Sequence, residues 1–285
     1  MEQTQEPSQE NGGEAFCEQV LAINRRVFEN TGSQPLAFIR TYGCQQNASD
    51  SERLGGMLAR MGYGFTENAQ NADLVLFNTC AVREHAEQRV FGNVGALKPL
   101  KQLRPSVIIG LCGCMVQQEH IVQKLRKSYP YVDLVFGTHA LQRLPELLYR
   151  VMTQEGRVYE TPEADDGIAE GLPVRRSGGV KAWLHVMYGC NNFCSYCIVP
   201  YVRGREKSRR PEAVLAQATQ LASEGCREIT LLGQNVNSYG NDLSVGYDFA
   251  RLLREINDID GDFRIRFMTS HPKDATRALF SAMAD

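Results

Sequence analysis

The sequence predicts an α/β protein in two parallel-sheet parts, and three observations predict it. Short apolar strands alternate with helix-spaced segments from Leu36 to Met152. A polar stretch at residues 161–179 (TPEADDGIAEGLPVRRSGG), with two prolines and a closing Gly-Gly, interrupts the rhythm. A second strand–helix series then begins at Val180.

Residues 1–13 are rich in Gln and Glu and read as a polar tail. Phe16, Val20, Ile23 and Val27 recur at helical spacing, which predicts a helix over 14–29. Leu36–Thr41 reads as a strand and 49–61 as a helix, with Ser49 as its N-cap and Glu52 three residues on. A strand follows at 73–78 and one helix over 84–103. The run 107–111 is continuously apolar, as a strand buried on both faces of a parallel sheet must be. Helix 117–128, strand 132–136 and helix 141–152 complete the first part, a Rossmann or flavodoxin-like parallel sheet. The domains expected are a tail and helix at 1–34, the first sheet domain at 35–152, a linker at 153–179, and the second domain at 180–285. In the second domain, strands at 180–187, 228–232 and 263–268 alternate with helices at 211–224, 247–257 and 273–284. Pro211 stands in the first turn of its helix, where a missing N–H costs nothing. Three strand–helix units are too few to close a parallel barrel, so a partial (βα) barrel is expected.

With 31 basic and 33 acidic residues the net charge is -2, which excludes a protein that coats nucleic acid by bulk charge. No run approaches the roughly 18 apolar residues of a membrane span, and no secretory signal opens the chain, so a cytoplasmic location is expected. Nine cysteines are an odd number for a disulfide framework; in a reducing compartment, clustered thiols read as metal ligands.

Two cysteine sets carry the chemistry. Cys190, Cys194 and Cys197 stand at C-x3-C-x2-C on a loop after a strand. Three such thiolates suit one face of a four-iron cluster and leave one iron without a protein ligand. Structural zinc takes four ligands, and no close fourth is present; His185 lies on the preceding strand. Cys44, Cys80 and Cys114 each follow a different strand of the first domain, at the edge where ligand sites of open parallel sheets collect. The competing reading of each is a small buried hydrophobe. Cys112 lies within a strand, and Cys17 and Cys226 have no thiol neighbours, so core packing is expected for all three.

The blocks TYGCQQNASDSERL, NTCAVREHAEQRVFGNVG, GCMVQQE, YGCNNFCSYCIVPYVRGREKSR, LLGQNVNSYG and TSHPKD resemble, in this order, the radical S-adenosylmethionine tRNA methylthiotransferases. The likeness runs from about Leu36 to the last residues. It implies a methylthiotransferase domain followed by a radical S-adenosylmethionine domain, with two 4Fe-4S clusters and S-adenosylmethionine as cofactors. Cys44, Cys80 and Cys114 match the ligands of the auxiliary, sulfur-supplying cluster, and Cys190, Cys194 and Cys197 those of the radical cluster. The implied reaction puts a methylthio group on C2 of N6-dimethylallyladenosine next to the tRNA anticodon. Another tRNA adenosine and a ribosomal-protein aspartate remain alternative targets, and a non-catalytic iron–sulfur or tRNA-binding fragment an alternative of another class. An aromatic C–H has no acidic proton and no leaving group, which is why the chemistry calls for a radical in a dry site. The resemblance also implies an electron donor and a sulfur source as partners, and a monomer without membrane contact. The family's remaining barrel half and its C-terminal RNA-binding domain are not among these residues, so weak or no activity is expected of this chain alone.

Other positions follow from the same reading. Tyr196 precedes the last loop cysteine, and Gly233, Gln234, Asn235 and Asn237 lie at a strand end, where the resemblance implies cofactor contacts; an Asn/Gly-rich turn is the plainer alternative. Arg203, Arg205, Lys207, Arg209 and Arg210 form the densest basic run and are candidates for contact with tRNA phosphate or the cofactor carboxylate, or else a solvated loop. Arg175 and Arg176 read as solvated, His271 as structural or catalytic, and Tyr42 and Asn78 as flanks of the cysteine loops.

Overall fold

The computed structural model describes residues 9–81, 84–153, 156–163, 167–168, 170–176, 178–243 and 246–284. The chain divides into two compact units, at Arg175 and Arg176.

The first unit runs α1 (Gln9–Thr31), β1 (Leu36–Thr41), α2 (Gln45–Arg60), β2 (Gly64–Phe65), β3 (Leu74–Thr79), α3 (Glu84–Gly95), α4 (Lys98–Leu103), β4 (Ile108–Gly113), α5 (Glu119–Ser128), β5 (Leu134–Phe136), α6 (Leu144–Thr153) and β6 (Val158–Glu160). All six strands are parallel, in the order β2-β1-β3-β4-β5-β6. The first five strands of this order follow the flavodoxin-like arrangement, whose chain direction reverses between β1 and β3. β3 is buried at all six positions, and its side chains alternate between two cores. Leu74 and Leu76 pack with Leu54 and Leu58 of α2 and Leu147 of α6; Val75 and Phe77 pack with Val90 of α3 and Leu125 of α5. Helices therefore cover both faces, which is why the central strands read as unbroken apolar runs.

Several expectations change. The expected tail extends over residues 1–13, but α1 already begins at Gln9; residues 1–8 lie outside the described residues. α2 starts at Gln45 with Cys44 as N-cap, and Ser49, expected as the cap, is buried inside the helix. The reason is the turn at Gly43, which ends the β1 loop directly before Cys44. The helix expected over 84–103 is two helices. Pro99, in the first turn of α4, lacks an N–H and crowds the carbonyl four residues back at Gly95, where α3 stops. The stretch expected as a linker contributes β6, which pairs with β5. Its segment 170–175 lies on the same unit: Arg175 N–H donates to Glu52 O at 2.8 Å, and its guanidinium covers the Phe65 ring at 3.9 Å.

The second unit runs β7 (Lys181–His185), β8 (Met187–Tyr188), α7 (Val199–Arg203), β9 (Lys207–Ser208), α8 (Pro211–Ser223), β10 (Glu228–Leu232), α9 (Phe249–Asn257), β11 (Arg264–Phe267) and α10 (Arg277–Ala284). β7, β10 and β11 form a parallel sheet in chain order, the succession a (βα) barrel begins with. Val214 and Leu221 of α8 and Leu252 and Ile256 of α9 pack against Leu184 of β7 and Ile229 of β10. Asp248 caps α9 by accepting from Arg251 N–H at 2.8 Å. β8 and β9 form a small antiparallel ribbon, which the sequence reading left inside a strand and a loop. No helix among the described residues is long and apolar enough to cross a membrane.

Candidate cofactor sites

In the first unit the three expected cysteines stand at the carboxyl edge of the sheet, on the loops after β1, β3 and β4. β1 and β3 flank the point where chain direction reverses, which is where open α/β sheets place ligands. Cys80 and Cys114 are 4% and 5% exposed, while Cys44 is open to solvent. The loops close on one another. Gly43 has φ +111°, and a Cβ there would stand 2.5 Å from Cys80 Cβ and 2.7 Å from its sulfur, so only glycine fits beside that thiol. Cys44 Sγ and Cys114 Sγ approach the same oxygen, Asn47 Oδ1, at 3.9 and 3.8 Å. Cys44, the N-cap of α2, makes no side-chain capping bond. Asn78 is buried and spends its amide on Asn47 O and Ser51 Oγ, at 2.8 and 3.0 Å; Tyr42 Oη accepts from Asn93 Nδ2 at 2.6 Å. Both flanking residues thus serve the loop framework. Cys112, Cys17 and Cys226 lie in the apolar cores.

In the second unit Cys190, Cys194 and Cys197 lie on the loop after β8, again at the carboxyl edge. Cys190 is buried and the other two are half-buried. Burial pushes the Cys190 thiol above its ordinary value. A backbone hydrogen bond from Asn192 opposes this, while Glu206 and the neighbouring Cys197 and Cys194 add to it. The loop is tied locally. Cys197 N–H donates to Cys194 O at 2.9 Å and Cys190 N–H to Gly204 O at 3.1 Å. Asn191 and Glu206 bond reciprocally, backbone to side chain, at 3.1 and 3.3 Å. Gly189 has φ +69°, and a Cβ would meet the Arg205 carbonyl oxygen at 1.9 Å. Phe193 holds a left-handed φ of 45°, between the Tyr201 ring and the Arg205 guanidinium at 5.7 and 4.4 Å.

Loops after β10 and β11 adjoin the same edge. His271 Nε2 lies 3.7 Å from Cys194 Sγ, so His271 belongs to the thiol site. Asn235, expected among the cofactor contacts, instead fastens these loops. Its Nδ2 donates to Asp274 at 2.7 Å and its Oδ1 accepts from His271 N–H at 3.0 Å. Asn237 Nδ2 donates to His271 O at 3.2 Å. Gly233 is packed against Met187, and its carbonyl accepts from Thr269 Oγ1 at 2.7 Å. The side-chain oxygens of Asn192, Gln234 and Asn237 are buried without a hydrogen-bond partner. Such acceptors are rare in a finished interior. Tyr196 stands 91% exposed.

The basic run divides. Arg205 and Arg210 are exposed and Lys207 is half-buried, but Arg203 and Arg209 are buried. Arg209 directs its guanidinium inward, to His185 O at 2.6 Å and Gln217 Oε1 at 2.8 Å, which removes it from a phosphate-binding face. Arg176, expected as solvated, pairs with Glu224 at 2.6 Å.

The donor chemistry fits iron–sulfur groups: each edge presents three thiols. Among the described residues no three His, Cys, Asp or Glu side chains converge as they would around a single ion. Thiolates around a cluster stand farther apart, because iron and sulfide fill the centre.

Residues 37–137 match the uncharacterized protein family UPF0004, and residues 184–285 the radical SAM superfamily. A solved radical S-adenosylmethionine methyltransferase, TsrM from Kitasatospora setae, superposes with a TM-score of 0.57 at 15% identity, over 88% of this chain and 57% of that one. This likeness concerns the fold. The chain is a radical S-adenosylmethionine protein with a UPF0004 segment in front. A curated relative in Caldicellulosiruptor saccharolyticus, called tRNA-2-methylthio-N(6)-dimethylallyladenosine synthase, is 53% identical over 270 residues, 95% of this chain and 57% of that protein. A relative of the same name in Alkaliphilus oremlandii is 55% identical over 256 residues, 90% of this chain and 54% of that protein. The chain thus belongs to the radical S-adenosylmethionine methylthiotransferase family, and spans about half the length of these relatives.

Proposed function

We propose that the chain is the cluster-bearing part of a tRNA methylthiotransferase acting on C2 of N6-dimethylallyladenosine next to the anticodon, in the cytoplasm. The observation that carries this is the pair of three-thiol sites, one at the carboxyl edge of each parallel sheet. The printed names of relatives above 50% identity support the target.

In this reading Cys44, Cys80 and Cys114 hold one 4Fe-4S cluster and Cys190, Cys194 and Cys197 a second. A cluster held at the second site would supply the electron, and S-adenosylmethionine the radical, needed to take hydrogen from an aromatic C–H. The protein's own residues bind and orient. Asn192, Gln234 and Asn237 offer their buried oxygens to the cofactor's ammonium and hydroxyl donors, and Tyr196 its ring face. His271 holds Cys194 from the side. Arg205, Lys207 and Arg210 meet tRNA phosphates, which position the RNA without reading its bases. The working protein requires an electron donor and a sulfur source, and acts as a monomer. The domain assignment proposed is 35–152 for sulfur supply and 180–285 for radical generation.

Nucleoside analysis of tRNA from a strain lacking the gene tests the reading. Loss of 2-methylthio-N6-dimethylallyladenosine, with its unthiolated precursor accumulating, is the expected result. Unchanged content overturns it, and loss of methylthio groups from another adenosine or a ribosomal protein moves the target.

A further inference from the structure

Cys44, Cys80 and Cys114 sit on three loops, and one side chain reaches all three. Asn47, in the first turn of α2, is 0% exposed. Its Nδ2 donates to Tyr42 O at 2.9 Å and to Thr79 O at 2.8 Å, on the backbone leading into Cys44 and Cys80. Thr79 O also accepts from Cys114 N–H at 3.0 Å. Its Oδ1 faces Cys44 Sγ at 3.9 Å and Cys114 Sγ at 3.8 Å. Its own carbonyl accepts from Asn78 Nδ2 at 2.8 Å. Amide orientation is settled by chemistry: two carbonyl partners demand the N–H end, so the oxygen must face the sulfurs.

The sheet does only part of this work: past its rungs Tyr42 N–H donates to Asn78 O at 2.8 Å and Cys114 N–H to Thr79 O at 3.0 Å, and neither bond reaches Cys80. The strand pairing ends at Thr41 with Asn78 and at Thr79 with Gly113, so every one of the three cysteines lies past the last rung. Beyond that point each residue held in one conformation costs about 1–2 kcal/mol of backbone entropy. Buried hydrogen bonds from one side chain to two loops offset part of that cost.

We infer that Asn47 is the positioning residue of the first three-thiol site: it holds the cysteine loops at their spacing before an iron–sulfur group is bound. The inference rests on the proposed reading of Cys44, Cys80 and Cys114 as cluster ligands. Asn47 acts through the thiols, since a carboxamide oxygen is a poor ligand for a thiolate-type iron site.

The test uses the full chain with Cys190, Cys194 and Cys197 replaced by alanine, which leaves one three-thiol site. The protein is reconstituted anaerobically with ferrous iron and sulfide over a range of iron concentrations. Bound iron and sulfide, the electron paramagnetic resonance spectrum of the reduced cluster, its midpoint potential and the melting temperature are read for the parent and for Asn47→Ala, Asn47→Asp and Gln46→Leu. Partners that orient metal ligands typically matter about 10–100-fold in affinity. That loss is expected for both Asn47 variants, with an altered spectrum and potential in whatever cluster remains. Asn47→Asp removes the two N–H donors at constant shape, and a parent-like melting temperature in either variant shows that a loading loss is not a failure to fold. Gln46 is the neighbouring buried amide and makes none of the contacts named for Asn47, so an apolar replacement there is expected to leave loading as in the parent. Equal loading, spectrum and potential in parent and Asn47 variants overturns the inference while the ligand reading stands. Equal losses in Gln46→Leu and Asn47→Asp also overturn it, as general damage to the turn. A parent that binds no iron overturns the ligand reading itself.

Discussion

In the first unit Cys44, Cys80 and Cys114 come from three strand ends, two of them buried, and a buried asparagine contacts two of the sulfurs and the backbone beside the third. In the second unit Cys190, Cys194 and Cys197 share one loop, two of them half-buried, and the ties are hydrogen bonds near the surface. The first site is a product of tertiary structure, because each thiol is placed by a different strand. The second is a product of local spacing, and its loop needs only its own ends to be fixed. That difference suits the proposed roles: a sulfur-supplying site and a site that must admit a cofactor.

The largest expected effects come from adding one methyl group at each site. In Gly189→Ala the new Cβ meets a backbone carbonyl, Arg205 O, at 1.9 Å, and the φ of +69° is strained for any L side chain. The whole loop must move, so loss of the second cluster and of cofactor cleavage is expected, with the first cluster kept. In Gly43→Ala the new Cβ meets Cys80 at 2.5 Å, so Cys80 must move. Loss of the first cluster is expected there, with cofactor cleavage kept. Iron and sulfide counts on the reconstituted protein, beside an assay for 5′-deoxyadenosine, separate the two. If either variant empties both sites, the two sites are not independent and the contrast fails.

How much of this was legible follows from the same contrast. The C-x3-C-x2-C loop stands in consecutive residues, so spacing alone exposed it. The strand-end cysteines were legible one step removed, because each follows a short segment that reads as a strand, although β1 is buried only at Ala37 and Phe38. Asn47 was not legible. Within GCQQN nothing distinguishes it from Gln46 until the register of β1, β3 and β4 brings Tyr42, Thr79 and Cys114 around it. The basic run misled for a related reason. β9 pairs with β8, so Arg209 folds inward beside His185 while Arg205 and Arg210 stay outside. Charge is read from sequence, but side-chain direction is set by a two-residue ribbon too short to predict. β6 escaped likewise, since three residues carry no measurable period.

A middle-sized effect sharpens the comparison at the reciprocal bond between Asn191 and Glu206, the surface counterpart of the Asn47 contacts. Exposed hydrogen bonds are each worth about 0.5–1.5 kcal/mol. Glu206→Ala is therefore expected to weaken loading of the second cluster by less than about tenfold, below the loss expected for Asn47→Ala at the first. Glu206→Gln, which keeps the acceptor oxygen, is expected to stay close to the parent. Iron titrations of proteins carrying a single three-thiol site measure both. A Glu206→Ala loss equal to that of Asn47→Ala would show that the local site depends on its tie as heavily as the distributed one.

The smallest effect tests the units rather than their sites. In the first unit Glu146 is held below the usual carboxylate range, chiefly by its hydrogen bond from Arg143, against the opposing effect of burial. Arg143 lies 2.9 Å from both Glu146 and Glu160, so the cluster ties α6 to β6. A carboxylate whose folded value lies below its unfolded value, here 4.5, stabilises fully above that pH. The contribution is lost as pH falls from 4.5 through the lowered folded value. Half-exposed pairs of this kind are worth below about 1 kcal/mol, so a drop of a few degrees in melting temperature is expected for Glu146→Gln at neutral pH. Below the lowered value the variant and parent should melt together. The protein carries one tryptophan, Trp183 on β7, which reports only on the second unit. Far-ultraviolet circular dichroism should therefore register the shift while Trp183 fluorescence does not. A matching shift in fluorescence would mean that the two units unfold as one.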